Sequence, residues 1–88
     1  MTEQELYKRA IDKWGALSQM EMAVEEFAEA IVAIKHYVRH NRPANRPDLI
    51  DELVDAEIMA TQMKMIFGGE EWDRIHQEKL ARLERKLK

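Results

Sequence analysis

Two segments of this chain carry apolar residues on two sides of a helix at once. At about 100° per residue, Val24, Phe27, Ile31, Ile34 and Val38 form one stripe, while Met22, Ala30 and Ala33 fall on the other side. The second segment repeats the pattern, with Ile50, Val54, Ile58 and Met65 on one face and Met59, Met63 and Ile66 on the other. A helix that is apolar on two sides has to be covered on two sides. With 88 residues the chain is one domain, residues 1–88, and has too few elements to cover both faces of both helices. The pattern predicts an all-α protein with two long central helices. It is completed by homo-oligomerisation, the central helices of one subunit packing on those of another.

The remaining boundaries follow from local chemistry. Thr2 with Glu5, and Ser18 with Glu21, fit the capping box that opens a helix. Gly15 separates the two segments they open. Pro43 and Pro47 bracket a polar stretch from His40 to Arg46 that reads as a loop, with helix resuming near Pro47 or Asp48. Gly68 and Gly69 end the third helix, and residues from about 70 to 87 form a fourth. No strand pattern, repeat or low-complexity tract interrupts this four-helix reading.

Inside the most apolar segments stand four acids. Glu26 and Glu29 lie three apart in EEFAE, as do Glu52 and Asp55 in ELVD, and both pairs fall on faces that also carry Met and Ala. If the central helices form an antiparallel hairpin, the two pairs face each other. Carboxylates gathered this way repel, and partial burial worsens the repulsion. Protonation, a nearby cation or a divalent metal would relieve it. Lys35 and Lys64 point away from these faces, and Arg39 lies far along its helix. Oxygen-only ligands suit Mg²⁺ or Mn²⁺ rather than zinc. A diiron bundle would need Glu-x-x-His on these helices, but Ala33 precedes His36 at that spacing. Mg²⁺ held by a few carboxylates keeps positions open for water and phosphate, which points to phosphate chemistry. The plainer alternative is a solvated Glu-x-x-Glu surface.

EEFAE followed by ELVD resembles the E-E-x-x-E…E-x-x-D motif of MazG-like nucleotide pyrophosphohydrolases, in the all-α NTP pyrophosphatase superfamily. The likeness runs from about Trp14 to Arg85. It implies a four-helix MazG-like bundle that cuts a nucleoside triphosphate to its monophosphate and pyrophosphate, with Mg²⁺ as cofactor and Mn²⁺ as a possible substitute. It implies Glu26, Glu29, Glu52 and Asp55 as metal ligands, with Glu25 supporting the site or orienting water. Either Glu25 or Glu29 would take the proton of the attacking water. KLARL, residues 79–83, is similar to the K-F-x-R stretch that closes such domains, so the resemblance assigns Lys79 and Arg82 to the substrate phosphates. Gln77 stands where family members often carry Asn. Lys79 and Arg82 also suit the C-terminal half of a helix by complementing its dipole. Trp14, at the first helix junction, is a candidate for stacking on a base and Gln19 for bonding its edge; a Trp at such a turn also serves as a core plug. His36 lies toward the mouth of the acid face, and Trp72 reads as a packing residue.

Composition excludes several other classes. With no cysteine, disulfides, zinc thiolates and thiol catalysis are ruled out. No Gly-rich phosphate loop is present. A net charge of −3 disfavours a duplex-binding surface, and no nucleic-acid partner is expected, although a binder using KLARLERKLK is a rival class. No apolar run approaches a membrane span and no basic-then-apolar leader appears; a cytoplasmic location is expected. The other rival is a non-catalytic helical oligomerisation or interaction module, which would account for the apolar faces but leave the inward acids unexplained.

Overall fold

The computed structural model describes residues 1–40 and 43–88, with only the backbone of Ala44. Among the described residues the protein is all-α. Its four helices are α1 (Glu3–Trp14), α2 (Ala16–His40), α3 (Arg46–Phe67) and α4 (Gly69–Leu87). A single 3₁₀ turn, Pro43–Asn45, precedes α3. No helix among them is long and apolar enough to cross a membrane.

Local chemistry sets most boundaries. Thr2 caps α1 reciprocally: its Oγ1 accepts from the Glu5 N–H at 3.1 Å, and its own N–H donates to Glu5 Oε2 at 3.4 Å. Gly15 and Gly68, at φ of 90° and 93°, end α1 and α3 in conformations that side-chain-bearing residues avoid. Their N–H groups donate to Ile11 O and Lys64 O. The second capping box does not form. The Gln19 N–H donates to Gly15 O at 3.1 Å, so α2 already runs from Ala16 and Ser18 lies inside its first turn. The expected loop is also shorter than the prolines suggested. His40 closes α2 and Arg46 opens α3, because Pro47 sits in the first turn, where a missing N–H costs nothing. Asn41 and Arg42, within that expected loop, lie outside the described residues. Gly69 belongs to α4 rather than to the end of α3.

The central contact is α2 against α3, with α1 leaning on both and α4 meeting chiefly α3. Small residues let the two long helices approach: Ala23 and Ala30 of α2 are buried, as is Met59 of α3. These lie one turn from Glu26 and from Asp55, so the face that joins the helices is the face that carries the acids. Gln19 and Gln62 are the buried polar residues among those described. Lys64 and Asp73, 2.9 Å apart, tie the end of α3 to the start of α4. The opposite stripe of α2 is uncovered, with Val24 69%, Ile31 60% and Val38 71% exposed. Every residue from Asp73 to Lys88 is exposed as well.

Candidate metal centre and its adjoining cleft

Helical spacing builds the centre. Glu26 and Glu29 follow Ala23 along the inner side of α2, and Glu52 and Asp55 precede Met59 on the inner side of α3. Packing through the small residues brings the acids together. One carboxylate oxygen each from Glu26, Glu52 and Asp55 lies within 4.8 Å of the others. All three residues are half-buried, whereas Glu25 and Glu29 are exposed. Glu29 stands at the rim, outside the tight trio.

The electrostatics of the cluster are unfavourable as it stands. Burial, followed by repulsion from Glu29, Asp55 and Glu25 and by a side-chain hydrogen bond with the Glu29 carboxyl, holds the Glu26 carboxyl above the usual carboxylate range. Burial, repulsion from Glu29, a side-chain hydrogen bond with the Glu29 carboxyl, and then Asp55 and Asp51 do the same to Glu52. Among the described residues, Glu26 Oε2 and Glu52 Oε2 are closed off from solvent and have no hydrogen-bond partner. None of the ion pairs found there reaches these acids: Lys8 pairs with Asp12, Lys64 with Asp73, Arg74 with Glu78 and Lys88 with Glu84. Buried acceptors without donors are rare in folded proteins, and negative oxygens facing one another need a positive partner or a proton.

The donor set fits a hard divalent ion. It is oxygen only, and an octahedral Mg²⁺ shell, about 2 Å in radius, holds its oxygens up to about 4 Å apart. The oxygens of Glu26, Glu52 and Asp55, all within 4.8 Å of one another, are close enough for one such ion to be shared among them. The arrangement could hold a cation, with Glu26, Glu52 and Asp55 as its ligands.

Beside the acids a cleft of about 400 Å³, lined mostly by apolar surface, lies between α2 and α3; Glu29 and Glu52 line it next to the cluster, Asp48 and Leu49 one turn along α3, and His36 and Asn45 two turns away. No family model matches the chain, and no curated protein or solved structure was found to match it.

The other residues singled out in the sequence are not gathered here. Trp14, 57% exposed, lines a separate groove of α1 with Tyr7, Arg9 and Gln62, and Lys13 Nζ sits 5.3 Å from its ring. It is neither a plug at the turn nor a wall of the acid cleft. Gln19 is only 4% exposed, leaving no edge for a ligand in a single subunit. Lys79 shares a groove of α4 with the half-buried Trp72 and with Ile75 and His76, and Arg82 is exposed farther along the same helix. Conversely, Asn45 escaped notice because the segment from His40 to Arg46 reads as loop, and Asp48 reads only as a possible start of α3. Their signal is nevertheless in the sequence: Asp48 lies one turn before Glu52, so extending the acid face of α3 backward reaches it.

Proposed function

We propose that this chain is a Mg²⁺-dependent nucleoside triphosphate pyrophosphohydrolase of the MazG-like kind, acting as a homo-oligomer. One observation carries the reading: Glu26 Oε2 and Glu52 Oε2, each shut off from solvent without a donor, gathered with Asp55. Such a cluster is costly for a merely structural helix pair, and a bound cation removes the cost.

In this reading Glu26, Glu52 and Asp55 hold the metal, and Glu29 completes the set from the rim. When bound, Mg²⁺ neutralises phosphate oxygens and lowers the pKa of water. The chain's own residues do the rest. The α2–α3 cleft seats the nucleoside beside the acids. The exposed Glu25 or Glu29 accepts the proton of the water that attacks between the α- and β-phosphates. Lys79 and Arg82 would offset charge on the departing pyrophosphate. Because α4 stands apart from the acids of its own chain, they could serve there only when α4 of a second copy reaches the cleft. The uncovered stripe of α2 and the exposed α4 favour such an assembly. The same surfaces support the alternative of a non-catalytic interaction module, which makes no demand on the acids.

The deciding experiment is pyrophosphate release from mixed dNTPs at high enzyme concentration in millimolar MgCl₂, run beside Glu52→Gln. Release by the native chain and none by the variant, with unchanged helical content, is the expected outcome. Absence of release by both overturns the enzymatic reading in favour of the interaction module.

A further inference from the structure

We propose that two copies of this chain join through the outer face of α2, the two helices running antiparallel with Glu21 of each copy paired to Lys35 of the other. This rests on the assembly named in the reading above and says how the copies meet; it makes no demand on the hydrolytic chemistry.

The outer face of α2 carries a strict seven-residue repeat. Leu17, Val24, Ile31 and Val38 recur at that interval, and Met20, Phe27 and Ile34 recur between them at the same one. Steps of three and four therefore alternate without a break from Leu17 to Val38, about 32 Å of helix. A helix that merely covers its own core carries a broader stripe. The alternation found here is the seam of a coiled coil, where each side chain enters a hole formed by four residues of a facing helix. Among the described residues no helix faces it. α3 packs on the opposite side of α2, where Ala23 and Ala30 are buried. Of the seam residues only Met20 is even half-buried, and Leu17 is 77% exposed. An apolar strip this long is seldom left open to water. Its natural cover is a seam of the same repeat, which α2 of a second copy supplies. α4 offers no such match, because its apolar residues step by five from Ile75 to Leu80.

Charge sets the direction. Glu21 and Lys35 flank the seam on one side, with Ala28 midway between them; Ala23 and Ala30 flank it on the other. In a parallel pair each flank meets the opposite flank of the second copy, so Glu21 and Lys35 would meet no charge. In an antiparallel pair the flank meets itself in reverse order. Glu21 then lies against Lys35 of the second copy, Lys35 against its Glu21, and Ala28 against Ala28 at the two-fold axis. Both charged residues are exposed, and neither joins an ion pair among the described residues. The apolar layers agree with this direction. Val24 falls opposite Ile34, Ile31 opposite Phe27 and Val38 opposite Met20, so a smaller side chain meets a larger one in every layer. A parallel pair would set valine on valine and Phe27 on Phe27, leaving layers of unequal width.

The test is sedimentation equilibrium of the full chain, native and carrying Glu21→Lys or Lys35→Glu. Either change makes both inter-copy pairs repulsive, so each variant should dissociate at least about tenfold more readily than the native dimer, and the difference should shrink in high salt. Mixed in equal amounts, the two variants regain both opposite-charge pairs, and their heterodimer should form with near-native affinity. Direction is read independently. The chain has no cysteine, so Arg39→Cys takes a single nitroxide label. The antiparallel pair sets the two labels about 30 Å apart along the seam, against about 10–15 Å side by side in a parallel one. Should a charge reversal lose helical content, the label separation still decides. A native chain that stays monomeric at tens of micromolar leaves the seam to a helix of another protein and overturns the proposal. A dimer indifferent to both charge reversals, or labels at the shorter separation, overturns the antiparallel pairing, while pyrophosphate release measured on the same samples judges the hydrolytic reading separately.

Discussion

The sharpest consequence of the acid cluster is that one substitution should push stability in opposite directions with and without metal. Glu52 contributes one of the three oxygens lying within 4.8 Å of one another, and one of its oxygens is buried without a partner. Removing its charge as Glu52→Gln relieves repulsion on Glu26 and Asp55, so the metal-free variant should melt above the metal-free native protein. The metal response should be reversed. A ligand that binds only the folded state, held at a hundred times its Kd, stabilises by about 2.7 kcal/mol. For a domain of this size that raises Tm by about 10–20 °C. Loss of a second-shell partner already costs about 10–100-fold in metal affinity, so loss of a direct ligand should reach at least the upper end. At the same Mg²⁺ concentration the variant then keeps about 0.4 kcal/mol of the gain, a rise of about 2–3 °C. The assay is calorimetric or circular-dichroism melting of both proteins across an MgCl₂ titration, with NaCl matched for ionic strength. A native Tm indifferent to Mg²⁺, or equal Mg²⁺ shifts in both proteins, would refute the reasoning.

Other outcomes follow from the same geometry. The raised values of Glu26 and Glu52 mean that the folded, metal-free state binds protons more tightly than the unfolded chain. Their destabilising contribution is therefore full above the folded pKa and fades as pH falls toward the ordinary value of 4.5; the metal-free Tm gap between Glu52→Gln and native protein should narrow on acidification, as paired melts would show. Ile31, 60% exposed on the uncovered stripe, gains about 1–2 kcal/mol if a second copy covers it. Ile31→Asp, acting twice in a symmetric dimer, should raise the dissociation constant at least about thirtyfold by sedimentation equilibrium, and a native monomer at tens of micromolar would remove the argument. At Gly68 an added Cβ meets nothing within 4 Å while φ is +93°, so Gly68→Ala should cost about 1–3 kcal/mol by denaturant unfolding, wholly from backbone strain. An unchanged midpoint would mean that the α3–α4 turn relaxes freely.

Helical class, the number of helices and the gathering of the acids on one face of each central helix were legible in the residues because each depends on local spacing. Apolar residues at turn intervals, a Thr2–Glu5 cap and glycines at the breaks act within a few positions of one another. Boundaries failed where two local signals competed: Ser18 could cap a helix, but the chain after Gly15 was already helical. Pro47 could mark a loop, but the first turn of a helix accepts it equally well.

Only the tertiary structure decided which of two apolar faces would be inner. The sequence offered a bulky stripe, Val24 to Val38, and a small one carrying acids, and periodicity alone cannot rank them. The helices met where the small side chains of Ala23 and Ala30 let α3 approach, with Met59 filling the contact, and that choice drew Glu26, Glu52 and Asp55 together and left the bulky stripe open. The same packing separated Trp14, Lys79 and Arg82 from the acids. Position along a helix is a property of the chain; proximity across two helices is a property of how they pack.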